Sequence, residues 1–420
     1  MLRRSALNRA FVRFYSLDKG KGSKIIGREV TQYGITVKFQ QQGQVKEQYL
    51  DHLLLRDASQ SPKSVDPISS QKLFTTGSLL IDRGRPLEPI QPGIADIVDE
   101  GQGLYVHWND GDQFTYTSEY LQSLVGESVS IKKYDPKVWN QEIVSKPDFL
   151  SALSIDYHSY MDPHDESSLF ETIKKLDQYG IGLVTDIPDE AATNYSEWFV
   201  QMICERIGHV RTTFYGELFD VKNQASQANN IAYTAKPLPL HMDLLYLENI
   251  PGWQLLHCIK NSEGLEENGQ NYFVDSLGAL NYIKNKDPSV LKALETIPIT
   301  YHYRRDDKRY YQQRPLVEHK KYETVVNYSP PFQGPFNLKD ITDIPLLNQF
   351  KKGLYMFEEY INDPKNQFQI KLPENSCVIF HNRRILHARR QFDGERWLKG
   401  CYLDADTFSS KLSYLYEKFN

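Results

Sequence analysis

Cysteine is scarce in this chain, and a long hydrophobic run is missing altogether. Four cysteines are spread over 420 residues, at Cys204, Cys258, Cys377 and Cys401. No two stand close enough for a Cys-x-x-Cys metal or redox motif. They are expected as buried, reduced thiols of an intracellular protein. No run of 18 apolar residues occurs, so no membrane-spanning helix is expected. Excess positive charge is missing too: 49 Lys and Arg against 54 Asp and Glu leave a net charge of −5. A broad nucleic-acid or anionic-membrane surface is therefore not expected. Neither an internal repeat nor a low-complexity segment is visible.

What is there is a globular composition, 40% hydrophobic and 25% charged. A chain of this length exceeds one ordinary core and implies two domains. Aromatic residues stand out, with 27 Tyr and 20 Phe. The opening segment carries Arg3, Arg4, Arg9 and Arg13 and no acid before Asp18. Leu2, Leu7, Phe11 and Phe14 would share one face if it were helical. That profile reads as a mitochondrial transit peptide over residues 1–20, with a matrix-protease site near Arg13-Phe14-Tyr15-Ser16.

Residues 24–125 read as a small β-rich N-terminal domain. Ile35 to Phe39 alternates, as does Leu104 to Trp108, and Asn109-Asp110-Gly111-Asp112 before Phe114 signals a hairpin. Segment 58–92 reads mostly as loop, and 126–148 as a linker. Residues 149–420 form the larger domain. Helices are expected at 166–179, stopped by Gly180, and at 190–207, stopped by Gly208. A third is expected at 343–361, where Leu347, Phe350, Leu354, Phe357 and Ile361 step by three and four. Strands are expected at 181–185, 252–259, 271–275, 299–303, 323–328, 367–372, 376–381 and 397–403. Short strands not regularly alternated with helices favour a double-sheet β core with helical packing, over a doubly wound parallel sheet.

His241 and Asp243 stand two apart in LPLHMD, and in an extended strand both would point to one side. The pattern alone carries little. About 1.4 His-x-acid triplets are expected by chance from this composition, and two occur, the other being His164-Asp165-Glu166. That second triplet reads as the polar approach to a helix. With His387 as third ligand, His241 and Asp243 would make a two-His, one-carboxylate set that suits non-haem Fe(II).

The segments TFYGELF, NIAYT, LPLHMD, PGWQLLHC, YFVDS and NRRILHARR together resemble the gamma-butyrobetaine dioxygenase and trimethyllysine dioxygenase family. These are Fe(II)/2-oxoglutarate oxygenases of the taurine-dioxygenase-like superfamily. The likeness covers nearly the whole second domain, and the first weakly through Leu55-Arg56-Asp57. It implies a mostly β fold with helices, a double-stranded β-helix or jelly roll. It implies His241, Asp243 and His387 as iron ligands, the first two at the start of one strand and His387 near the end of another. Arg396 is implied as the cation for the far carboxylate of 2-oxoglutarate, because its planar fork pairs with a carboxylate through two parallel bonds. Arg383, Arg384, Arg389 and Arg390 are competitors. Asn271 and Leu256 are implied near the cosubstrate. Tyr215, Tyr233 and Tyr402 match tyrosines that would surround a trimethylammonium group, with Phe219 where the family usually has Trp. Asn230 and Ser329 fall at polar substrate contacts.

The implied activity is hydroxylation of a small trimethylammonium substrate, gamma-butyrobetaine to carnitine first, with O2 and 2-oxoglutarate. Trimethyllysine or another small molecule is the alternative substrate, and a non-catalytic binding protein on the same fold is the rival class. The resemblance also allows ascorbate as an accessory cofactor and a homodimer as the assembly. Family members usually hold zinc on cysteines just after the Leu-Arg-Asp run. Here that run continues Ala58-Ser59-Gln60-Ser61, so no N-terminal zinc is expected.

Overall fold

The computed structural model describes all residues except 1–22, 42, 126–135, 190–197, 223–233, 321–322, 338, 340 and 420. The chain divides into two compact units, Met1–Lys132 and Lys133–Asn420. The expected transit segment lies outside the described residues, as do most of the first half of helix 190–207 and the first ten residues of the expected linker.

In the first unit, β1 (Lys24–Val30), β2 (Gly34–Gln41) and β3 (Gln44–Asp51) form an antiparallel meander. A second meander contains β4 (Pro92–Val98), β5 (Gly103–Trp108) and β6 (Gln113–Thr117). The hairpin expected at Asn109–Asp112 joins β5 to β6. Gly111 takes a φ of 80°, a left-handed value that a side chain disfavours. Ile35, Val37, Leu104, Val106, Trp108 and Tyr116 meet in its core.

Just after Leu55-Arg56-Asp57 the serines are tied into a polar knot. Asp112, fully buried, accepts from Ser59 Oγ at 2.7 Å, from Ser61 Oγ, and from Ser64 Oγ at 3.2 Å. Arg56 reaches the same group, donating to Ser64 Oγ at 2.8 Å and to Asp110 at 2.8 Å.

The second unit is built on two facing sheets. The larger contains β7 (Ser154–Asp156), β8 (Ile181–Thr185), β9 (Leu218–Lys222), β11 (Trp253–Lys260), β16 (Ser376–His381) and β18 (Trp397–Leu403). Their order is β9-β18-β11-β16-β8-β7. The smaller contains β10 (Leu238–His241), β12 (Asn271–Asp275), β15 (Phe368–Ile370) and β17 (Ile385–Arg389), in the order β10-β17-β12-β15. Between them in sequence, β13 (Pro298–Arg305) and β14 (Lys308–Pro315) form a long hairpin. This is the jelly-roll core that the sequence implies.

The central strands are buried on both faces, which is why apolar residues dominate them, although Gln254, His257 and Lys399 are buried there too. Alternation then sorts their side chains. Leu255, Ile379, Cys401 and Leu403 face helices α1 (Glu166–Tyr179), α2 (Phe199–Glu205) and α5 (Ala405–Phe419). Leu256, Val378, Phe380 and Tyr402 face the other sheet. All four cysteines are buried.

Helix α1 begins at an Asp165 cap and stops at Gly180, whose φ of 71° closes the helix. Helix α4 (Ile344–Asn362) buries Phe350, Phe357 and Ile361 of the expected stripe, while Leu347 and Leu354 are only half-buried against the core. Helices α3 (Ser276–Lys286) and α5, and strands β7, β9, β10, β14 and β17, have no counterpart in the expected elements. Within 136–148, Trp139 is 1% exposed and its Nε1 donates to Tyr179 O at 2.9 Å, so this stretch packs with the second unit.

Candidate active site

The expectation that His241 and Asp243 share one extended strand is corrected. Strand β10 ends at His241, and Asp243 lies in the turn that follows. Four residues containing Pro239 suffice only for a short strand at the sheet edge, where proline is tolerated. His387 is the middle residue of β17, not near its end, and pairs across the ladder with His241.

The three side chains nevertheless converge. One ligand atom from each of His241, Asp243 and His387 lies within 4.8 Å of the others, and this is the one such group of His, Cys, Asp and Glu among the described residues. His241 Nε2 stands 3.3 Å from Asp243 Oδ1. The imidazoles are 4.1 Å apart at their centroids.

Each of these three side chains is oriented by a neighbour. His241 Nδ1 sits 2.8 Å from Pro239 O, which places its proton there and leaves Nε2 for a metal. Tyr402 donates its hydroxyl to Asp243 Oδ2 at 2.8 Å. His387 is wedged between His241 and Phe380, 4.8 Å from the latter ring, and its buried Nδ1 has no hydrogen-bond partner among the described residues.

Burial pushes the Asp243 carboxyl up, but its close contacts with His241 and His387 and the hydrogen bond donated by Tyr402 outweigh it and hold it well below the usual carboxylate range. Burial, then the neighbouring His241, bring His387 down to about 3. A divalent ion requires an ionised carboxylate and unprotonated imidazole nitrogens, and the lowered pKa values of Asp243 and His387 both lie in that direction. Two imidazoles and one carboxylate also suit iron(II) as a donor set. The residues present therefore fit the ion.

The triad opens on a cavity of about 680 Å³, a volume that includes its open mouth. Arg396 lies in its wall, 2% exposed. Its Nη2 donates to Asn271 Oδ1 at 2.9 Å, and its buried Nε has no partner among the described residues. Burial without an acidic partner lowers its pKa to about 10. A buried cation without an acidic partner is costly, and an anion would offset that cost.

The other arginines are committed elsewhere. Arg384 pairs with buried Asp275 at 2.6 Å, Arg383 bonds Asn327 and Glu318, and Arg390 bonds Gln270 and Gln369. Arg389 lines the cavity, but its Nη2 donates to Thr234 O and Lys236 O at 2.7 Å.

Asn271, Leu256, Tyr215, Phe219 and Tyr402 also line this cavity. Phe219 stacks on Tyr402 with 4.9 Å between centroids. Ser329 does not join the lining. It is fully buried at the head of a short turn, Pro330–Phe332, and Phe332 reaches the cavity in its place. Asn230 and Tyr233 lie outside the described residues.

Sequence reasoning missed Tyr246, Phe332 and Gln254, which line the same space. Tyr246, three residues after Asp243, was findable from its place in LPLHMDLLY. It packs 5.3 Å from Phe332 in a cluster that also holds Phe214 and Tyr303. Phe332 gave no signal, because only the chain reversal at Pro330–Phe332 delivers it.

Comparison with known proteins places the chain among dioxygenases. The profile of the taurine catabolism dioxygenase TauD, TfdA family matches residues 142–402. The chain is 37% identical to "Probable oxidoreductase AIM17" of Saccharomyces cerevisiae, over 88% of this chain and 85% of that one. It is 33% identical to "Dioxygenase str8" of Strobilurus tenacellus, over 84% and 82%. It is 26% identical to "Gamma-butyrobetaine dioxygenase" of a Pseudomonas species, over 87% and 90%.

Proposed function

The chain belongs to the taurine catabolism dioxygenase TauD, TfdA family, and from that premise we propose that it hydroxylates a small trimethylammonium substrate. Gamma-butyrobetaine, giving carnitine, is the first choice and trimethyllysine the second. The coarser activity is that of a 2-oxoglutarate-dependent dioxygenase using Fe(II). When bound, iron(II) with 2-oxoglutarate and O2 supplies the oxidising power to hydroxylate an unactivated C–H bond, leaving succinate and CO2.

In this reading His241, Asp243 and His387 hold the ion from one side. Arg396, steadied by Asn271, takes the far carboxylate of 2-oxoglutarate. Leu256 and Leu398 keep that end of the cavity dry. The observation that carries the substrate class is the remaining wall. Tyr215, Phe219, Tyr246, Phe332 and Tyr402 present rings, and among the described lining residues Asp243 is the one acid. A quaternary ammonium donates no hydrogen bond, so ring faces are what can hold it, each contact contributing roughly 0.5–2 kcal/mol.

A second reading, an uncharged apolar substrate, is favoured by Val221, Leu238 and Leu244 in the same lining. The relatives above 30% identity carry names without a trimethylammonium substrate. Two measurements decide. Protein with Fe(II), 2-oxoglutarate and a panel of trimethylammonium compounds is assayed for succinate. Each cationic ligand is then compared with its tert-butyl isostere by titration. Equal binding of the neutral isostere would remove the substrate reading and leave the oxygenase standing.

The arginine-rich opening segment supports a mitochondrial matrix address as part of the same proposal. Residues 1–20 fused to a fluorescent protein should carry it to mitochondria, and diffuse cytosolic fluorescence would contradict this.

A further inference from the structure

The unexpected end of β10 creates a problem that the fold must solve. Past His241 the ladder stops, so the backbone N–H and C=O of Asp243 have no strand partner, yet buried peptide groups need one. The next residue, Leu244, has a φ of 61°, a left-handed value that leucine disfavours. Conformations of that kind persist where neighbouring groups over-determine them.

One side chain supplies both missing partners. Asn382 is fully buried. Its Oδ1 accepts from Asp243 N at 2.8 Å, and its Nδ2 donates to Asp243 O at 3.0 Å. The same Nδ2 donates to Pro251 O at 3.1 Å, and the Asn382 backbone N–H donates to Gly252 O at 2.8 Å. The amide thus grips both sides of Asp243, including the peptide that leads into Leu244. Asn382 lies in the turn from β16 to β17, five residues before His387. The segment that delivers His387 therefore also fixes the backbone that delivers Asp243.

We propose that Asn382 is a positioning residue for the metal site, setting the Fe(II) affinity by clamping the Asp243 peptide groups. The inference rests on the reading of Asp243 as an iron ligand. Groups that orient ligands typically change metal affinity 10- to 100-fold when removed.

The test is anaerobic titration of Fe(II) into full-length protein against a chromophoric chelator, with thermal unfolding measured in parallel. Asn382→Ala should weaken Fe(II) binding about 10- to 100-fold. Asn382→Asp keeps the acceptor and the volume but loses both donated bonds, and should weaken it less. It decides the matter if the alanine variant does not fold. Asn261→Ala is the control: it removes a buried amide that donates to Leu372 O at 2.7 Å, at the far end of β11. It should lower Tm and leave Fe(II) affinity unchanged. Wild-type affinity in the folded Asn382 variants, or an equal loss in Asn261→Ala, would overturn the clamp. Wild-type protein that takes up no Fe(II) would instead overturn the iron reading itself.

Discussion

Tyr402 touches both halves of the proposed chemistry: its hydroxyl donates to Asp243 Oδ2 at 2.8 Å while its ring stacks on Phe219 at 4.9 Å. One residue of the aromatic wall thus also holds a proposed metal ligand. A tyrosine there does what phenylalanine could not. The two roles separate by mutation. Tyr402→Phe keeps the ring and removes the hydrogen bond, so Fe(II) affinity should fall about tenfold or more. The KM for a trimethylammonium substrate at saturating iron should change less than threefold, roughly the worth of a fraction of one ring contact. Steady-state kinetics over an iron series reads both.

Gly400 is the packing partner of that stack. A Cβ at this position would strike the Phe219 ring and crowd Leu256. Gly400→Ala should therefore force Phe219 out of its place, with a stability loss of about 1–3 kcal/mol for overpacking and weakened substrate binding. Chemical denaturation and substrate titration check it, and a variant with wild-type KM would show that Phe219 has no part in the wall.

Arg396 stores the cost of a buried, unmatched cation, and its lowered pKa of about 10 reports that cost. At neutral pH it remains charged. Arg396→Met should consequently leave the ligand-free protein as stable as wild type or more so. It should also abolish stabilisation by 2-oxoglutarate, which in wild type should reach about 2.7 kcal/mol at one hundred times Kd. Differential scanning of iron-loaded protein with and without 2-oxoglutarate reads both signs. A destabilised variant that still gains from the ligand would place the cosubstrate elsewhere.

The first unit makes an independent prediction. Asp112→Ala strands Ser59, Ser61 and Ser64 and removes one anion beside buried Arg56. A loss of about 3 kcal/mol is expected from breaking such a buried network. The urea midpoint of the isolated early transition, or of the whole chain if it unfolds in one step, should fall accordingly.

Legibility in the sequence followed burial and capping. Strands β11, β16 and β18 announce themselves because most of their residues are apolar and buried, and α1 because Asp165 and Gly180 punctuate it. Strand β10 is hidden by its four-residue length and Pro239. Strand β17 is hidden by the arginines around Ile385-Leu386-His387. Those arginines look like surface charge, yet Arg383, Arg384 and Arg389 are buried on specific acceptors. The pairing of His241 with His387 was legible as chemistry but not as geometry, since both ligand placements within their strands came out differently. Nothing in the spacing could reveal that Asn382 holds the Asp243 backbone, because that contact spans 139 residues.

The central claim is that His241, Asp243 and His387 form one iron site. Metal analysis of anaerobically loaded, desalted protein tests it most directly. The wild-type chain should retain one Fe(II) per molecule, and His241→Ala and His387→Ala should each retain almost none while keeping the wild-type far-UV spectrum. Undiminished iron in both folded variants would contradict the account.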